Sequence, residues 1–218
     1  MMHAYNELYL CDSQKNLAGM FDYAIRGLKY SGDEFFNLFI TSGIAAMFEH
    51  GNPKYVAGLS GIELAQNVLQ KSGIKLQNTI QLDYSFDGPE YWLGWVMSYY
   101  QWYRALRFSD LQVYGLIPSE ILSRYILHEA DISKFVQTAD SIIQKNIKNS
   151  PTRLKQIRTS RNMTQKQLSE LSGVSLRMIQ LYEQRQNDIN KASGSVINRL
   201  AWVLKCNFYD IMELELEN

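Results

Sequence analysis

Through most of the chain, apolar residues recur every three or four positions, the period of a helix with one buried face. Starting at Ser13, one stripe runs through Leu17, Met20, Phe21, Ala24, Ile25 and Leu28. From Asp33 to Glu49 a second runs through Phe35, Phe36, Phe39, Ile40, Ile44, Met47 and Phe48. A Gly-rich connection, HGNPKYVAG, leads to Ser60, a side chain suited to capping the helix IELAQNVLQKSG. Residues 73–88 are mostly polar, with a short extended piece predicted at TIQLDY. Pro89 then opens the helix EYWLGWVMSYYQWYRAL, and PSEILSRYILHEA and DISKFVQTADSIIQKN form two more. The pattern predicts an all-α chain.

The helical pattern is interrupted at IKNSPT, residues 147–152. Pro151 disfavours helix in the residue before it, and Asn149 and Ser150 are turn formers. Two domains are expected, 1–148 and 149–218. The second contains TQKQLSELSGVSLRMIQLYE, residues 164–183, which reads as helix, tight turn, helix. Thr164 suits the first N-cap, leaving Gln165 at a helix N-terminus where a phosphate can sit. Leu168 and Leu171 are expected to face inward, and Gly173 supplies the left-handed residue of the turn. Val174 is expected as a buried plug and Ser175 as the second cap. Ile179 and Tyr182 should point to the core, leaving Leu176, Arg177, Gln180, Leu181 and Gln184 outward on a helix that fits the major groove.

From about Thr152 to Met212 the chain resembles the Cro/XRE family of bacterial and phage repressors. The resemblance rests on RLKQIR, then xTQxxLSxxxGVSxxxIQxYE, a polar loop QRQNDINKAS, the apolar helix VINRLAWVLKC and a final NFYDIME turn. It implies a five-helix domain and a structural pair between Arg158 and Glu183. It also implies DNA contacts from Gln165, Ser175, Leu176, Arg177, Gln180, Leu181, Gln184, Arg185 and Lys191. Leu176 and Met178 stand where the family is often polar, which shifts weight to Arg177, Gln180 and contact with thymine methyls. Sites read as palindromes by a homodimer are the expected target. With little chain after the reader, the dimer surface is expected in the first domain.

Charge agrees once divided by segment. The chain has 22 basic and 22 acidic side chains. Residues 150–205 nevertheless hold ten of the basic and only three of the acidic ones, a balance suited to phosphate. The first 149 residues are mildly acidic. At 46% hydrophobic and 12% aromatic the composition is globular. Cys11 and Cys206 have no metal spacing, which predicts a reduced, cytoplasmic setting. The first residues lack a basic region followed by an apolar run, and no segment supplies about 20 apolar residues, so neither signal peptide nor membrane span is expected.

Catalytic and metal constellations fail. His3, His50 and His128 are far apart, and His128-Glu129 lacks a second histidine at helical spacing. GNPK has no P-loop context, and GLSG lacks the strand of a nucleophile elbow. Asp33-Glu34 and Asp83/Asp87 read as cap and loop acids. No enzyme, metal or cofactor is expected. The helix from Tyr91 to Tyr103 stands out for its aromatics. Trp92, Trp95, Tyr99 and Trp102 or Tyr103 share one face, which reads as a core stripe, while the remainder suits a protein partner or a small-molecule pocket.

The first domain also resembles a group of bacterial helix-turn-helix proteins with the same two-part layout, through MFDYAI, DEFFNLFITSGIA, GNPKYVAGLSGIELA, YWLGWVMSYYQWY and HEADISKFV. Some of that group are proposed to be antitoxins or regulators of neighbouring toxin genes. Two readings of the first domain stay open. One is dimerisation and capture of a partner protein such as a toxin. The other is a helical sensor of a small molecule attached to the same DNA reader.

Overall fold

The computed structural model describes residues 3–75 and 88–216, and every regular element among them is helical. The extended piece expected at TIQLDY, and Asp83 and Asp87, lie outside the described residues. The chain divides into two compact units, Met1–Gln144 and Lys145–Asn218. The division falls inside a helix that runs on to Asn149, where Ser150 and Pro151 end it.

In the first unit α1 (Leu10–Asp22) is the central helix. Leu17, Ala18, Met20 and Phe21 are all fully buried, so the helix is apolar on more than one side, as a core helix must be. It continues into a π-helical turn, Tyr23–Gly27. Next come α2 (Gly32–Thr41), α3 (Ile44–Glu49), α4 (Pro53–Val56), α5 (Gly61–Lys71) and α6 (Pro89–Arg104). The unit continues through α7 (Phe108–Val113), α8 (Pro118–Leu122), a 3₁₀ turn at Tyr125–Glu129 and α9 (Ile132–Asn149). Helices α5 and α6 both pack on α1. Gly94 of α6 lets the two backbones meet, since a Cβ there would lie 2.3 Å from the Leu17 carbonyl oxygen. Phe39, Phe48 and Phe108 meet edge to face, with centroids 5.0 to 6.2 Å apart, the favoured geometry for aromatic rings.

Local chemistry sets the helix starts. Ser31 and Glu34 close a capping box on α2, and Ser60 and Glu63 close another on α5. The stripe expected from Asp33 to Glu49 is two helices, broken where Gly43 adopts φ +77°. Asp33 is not the cap of its own helix; its carboxylate accepts the Ser119 N–H at 2.9 Å and so caps α8. Met47 is 47% exposed and does not join the core.

The aromatic helix also departs from the pattern. Its buried face is Leu93, Gly94, Met97, Tyr100 and Gln101, with Trp102 beside it. Trp92, Trp95, Tyr99 and Tyr103 are half-buried along its flank. Tyr100 donates to Asp140 at 2.8 Å, and Arg104 pairs with the same carboxylate, fixing α9 to α6. Burial, and then the Asp140 charge, push the Tyr100 hydroxyl well above its ordinary pKa. No described helix is long and apolar enough to cross a membrane.

The Glu49 carboxylate accepts the Phe108 N–H at 2.9 Å and starts α7. Burial raises its pKa, against opposition from that hydrogen bond and from the nearby His50 and Arg107. A raised folded-state value means that the folded chain binds the proton more tightly than the unfolded chain does. Its stabilising share is therefore present below the unfolded value of about 4.3 and lost as pH climbs through the raised folded value. Glu49→Gln should remove this slope. The stability of the wild type relative to the variant is expected to fall between pH 4 and 7, measured by thermal unfolding. A rise over that window would mean that the hydrogen bond outweighs burial.

Candidate nucleic-acid interface

The second unit holds α10 (Arg153–Ser160), α11 (Gln165–Ser172), α12 (Leu176–Glu183), a 3₁₀ turn at Ile189–Lys191, α13 (Gly194–Leu204) and α14 (Phe208–Ile211). Leu154, Leu168, Val174, Ile179, Tyr182, Leu200, Leu204 and Ile211 form one core. Thr152 caps α10, and Thr164 and Gln167 close a capping box on α11. The turn into α12 depends on Gly173, whose φ of +66° lies in the left-handed region that glycine adopts without steric cost. Ser172 closes the turn from inside: its hydroxyl donates to the Leu168 carbonyl at 2.6 Å and accepts the Val174 N–H at 3.2 Å. Ser175 then caps α12 by accepting the Met178 N–H at 3.3 Å.

One expectation fails here. Leu171 is 61% exposed, and the inward partner of Leu168 is Ser172, four residues on rather than three. The polar Ser172 takes the inner position because both of its hydrogen bonds are made within the turn.

Helix α12 is held by charge. Arg158 of α10 grips Glu183 with two hydrogen bonds, 2.6 Å and 2.9 Å, and donates a third to the Met163 carbonyl. Their side chains are only 9% and 2% exposed. Gln165 joins this pair, donating to Glu183 at 2.7 Å. Its side-chain amide thus braces α11 against the end of α12. The α11 N-terminus itself still offers backbone N–H groups of its first turn, which a helix leaves without intrahelical acceptors. Lys166, which the sequence reading did not select, stands in that turn with a side chain 79% exposed. Its signal was that it is the one cation of TQKQ.

On α12, Leu176, Arg177, Gln180 and Leu181 share the side away from the core. Leu176 is 37% exposed and Arg177 is exposed, while Gln180 and Leu181 are half-buried. Arg177 makes no ion pair or hydrogen bond among the described residues, so its guanidinium is free to meet a ligand. Gln184, exposed, ends the row. Met178 is turned toward the core and is not part of it. The flanking set divides. Lys191 reaches solvent with its side chain 84% exposed and only Asp188, at 3.3 Å, beside it. Arg185 is engaged within the unit, donating to the Ser150 carbonyl at 2.8 Å and to Glu213 at 3.1 Å. Glu213 also accepts the Arg153 N–H and exchanges backbone hydrogen bonds with the Asn190 side chain, so the tail is fastened to the start of α10 and to the connection between α12 and α13.

Elsewhere the histidines have structural surroundings. His50 and His128 each place Nδ1 on a backbone carbonyl within their own helical turn, and His3 stacks on Trp102. No group of His, Cys, Asp or Glu able to hold a metal occurs among the described residues. Cys11 and Cys206 are free thiols.

No curated protein and no solved structure gives a significant match to the chain. A family model does match residues 153–217, which span α10 to α14. The C-terminal unit of this chain is thereby a Cro/C1-type HTH DNA-binding domain.

Proposed function

We propose that the chain is a sequence-specific transcriptional regulator that lays α12 in the major groove and works as a homodimer on palindromic sites. The observation that carries this reading is the outer side of α12. A free Arg177 lies there with Leu176, Gln180 and Leu181, on a helix fixed by the buried Arg158–Glu183 pair. Arg177 lies in the first turn, where recognition helices reach base edges, and a guanidinium bonds guanine O6 and N7 together. Leu176 and Leu181 suit thymine methyls. Lys191, Lys166 and the α11 N-terminus supply phosphate contacts that orient the helix without reading sequence.

Arg177→Ala is expected to weaken binding to the cognate duplex by about 1–3 kcal/mol and relax discrimination at one base pair. Titration of cognate and scrambled duplexes at one salt concentration checks this. Equal losses on both would reassign Arg177 to the phosphate backbone.

For the first unit the reading is capture of a protein, a toxin being one partner of that class. Trp95, Tyr99 and Tyr103 stack in near-parallel array at the half-buried flank of α6, with centroids 6.4 and 5.8 Å apart. The charges of Glu7 and Asp131 reach Tyr99, so the ladder has acidic neighbours. Aromatic residues beyond the needs of the core are enriched at partner interfaces. Co-purification with the product of the adjacent gene tests the reading, and loss of the complex on Tyr99→Ala would locate it.

A further inference from the structure

At one end of the aromatic ladder on α6 a cation is already in place. The Arg104 guanidinium lies over the Tyr103 ring, 5.2 Å from its centroid, while its charge is held by Asp140. The negative face of an aromatic ring attracts cations, arginine more often than lysine. Tyr99 and Trp95 continue the ladder, with interplanar angles of 11° between Tyr103 and Tyr99 and 8° between Tyr99 and Trp95. Their centroid spacings of 5.8 and 6.4 Å exceed the roughly 3.5–4.0 Å of carbon atoms in contact, so each ring covers only part of the next face. Both rings are half-buried, and the chain places no cation over either of them among the described residues.

Two carboxylates flank this stretch. Glu7 comes from the N-terminal segment, which is fastened to the last turn of α6. The Ala4 N–H donates to the Trp102 carbonyl at 3.0 Å, Trp102 Nε1 donates to the Tyr5 carbonyl at 2.8 Å, and His3 stacks on Trp102. Glu7 then opens a 3₁₀ turn, exposed beside a Leu8 that is 85% exposed. Asp131 comes from the other neighbour of α6. It is exposed one residue before α9, whose Phe135 meets the Trp92 and Tyr100 rings edge on. Burial first, then Tyr103, Asp131 and Glu7, raise the pKa of the Tyr99 hydroxyl, so both carboxylates act on the middle ring of the ladder. Neither forms an ion pair among the described residues.

Unpaired carboxylates repel a polyanion and attract a base. A planar guanidinium can lie on a ring and bond a carboxylate with its edge at the same time, whereas the ammonium of lysine has no plane to stack. We infer that the Trp95–Tyr99–Tyr103 flank of α6 receives an arginine-bearing segment of a partner protein, its guanidinium stacked on Tyr99 between Glu7 and Asp131. The inference gives the chemistry of the partner and rests on the reading of the first unit as a protein-capturing domain.

The test uses the full-length chain and a capped peptide of alternating arginine and glycine, with glutamate and glutamine in place of arginine as controls. Calorimetric titration is expected to show binding of the arginine peptide alone. Tyr99→Leu removes the ring face and leaves the net charge unchanged, so its effect is separate from general attraction to an acidic unit. Glu7→Gln with Asp131→Asn removes both charges at exposed positions and carries the test if leucine at 99 unfolds the unit. Each variant should raise the dissociation constant of the arginine peptide about tenfold or more, with an unchanged circular dichroism spectrum. The inference is overturned if the wild type ignores the arginine peptide, takes the glutamine peptide equally well, or binds as before in both variants. It is also overturned if the wild type sediments as a dimer that Tyr99→Leu dissociates, which would make a second copy the occupant. A complex with the product of the adjacent gene that survives both variants leaves capture standing and overturns the inference. Failure of the capture reading has the reverse signature: that product does not co-purify, while the arginine peptide still binds through Tyr99.

Discussion

Glu183→Ala should destabilise the DNA-reading unit by about 3–5 kcal/mol, the usual cost of leaving a buried charge without its partner. Arg158 is only 9% exposed, so water cannot replace the two hydrogen bonds that Glu183 supplies. The damage extends further, because Gln165 loses the same acceptor. Three helices thus meet at one carboxylate, among them α12, the helix proposed to read DNA. Amide hydrogen exchange in the full-length chain is the suitable measurement, since it isolates the opening free energy of α11 and α12 from the rest of the molecule. The companion variant Arg158→Met with Glu183→Leu removes both charges and fills their space. It should recover most of the loss, as apolar replacements of buried pairs commonly do. Unchanged exchange in Glu183→Ala would mean that the pair contributes nothing to the stability of the unit.

The second large effect is expected in the first unit. A Cβ on residue 94 would lie 2.3 Å from the Leu17 carbonyl oxygen and 2.6 Å from the Ala18 Cα. Both obstacles are backbone atoms of α1, so no rotamer change relieves them. Either α6 moves off the central helix, opening the packing of Met97 and Tyr100, or the strain stays. Overpacking of this kind costs about 1–3 kcal/mol and occasionally more, and Gly94→Ala should fall at the upper end. Gly194→Ala is the control: a Cβ there meets nothing within 4 Å, and its melting temperature should stay near wild type. Equal shifts in the two variants would show that residue 94 is not a contact between backbones.

How much was readable in advance depended on whether a residue's role is local. Thr164, Gly173 and Ser175 were legible because a cap or a left-handed turn is decided within four residues of chain. Ile179 and Tyr182 followed from helical spacing on a short, well-bounded helix. Leu171 misled because periodicity ranks leucine above serine for an inner position, and it has no knowledge of hydrogen bonds that make Ser172 acceptable there. The α6 aromatics misled for a related reason. Close backbone approach puts Gly94 on the face against α1, and Trp92, Trp95, Tyr99 and Tyr103 are left half-buried on the flank. Short helices such as α4 and α7 span one turn or two and give no period to detect. The sequence places Gln165 at a phosphate position and Arg185 among the DNA contacts; the bonds of these side chains to Glu183 and Glu213 are tertiary and leave no trace in the local sequence.

The fastening of the tail by Glu213 has a bearing on how this protein would respond to ionic strength. Binding to a duplex weakens with added salt in proportion to the phosphates neutralised, because each contact releases condensed counterions. A tally of arginines and lysines overstates that number here. Arg185 is neutralised from within by Glu213, and Arg158 by Glu183. The acidic tail thus behaves as a resident counterion, lowering the valence that the unit presents to DNA. On the proposed reading, specific contacts from α12 would make up a larger share of affinity, and such a regulator would hold its site over a wider range of salt than its composition implies.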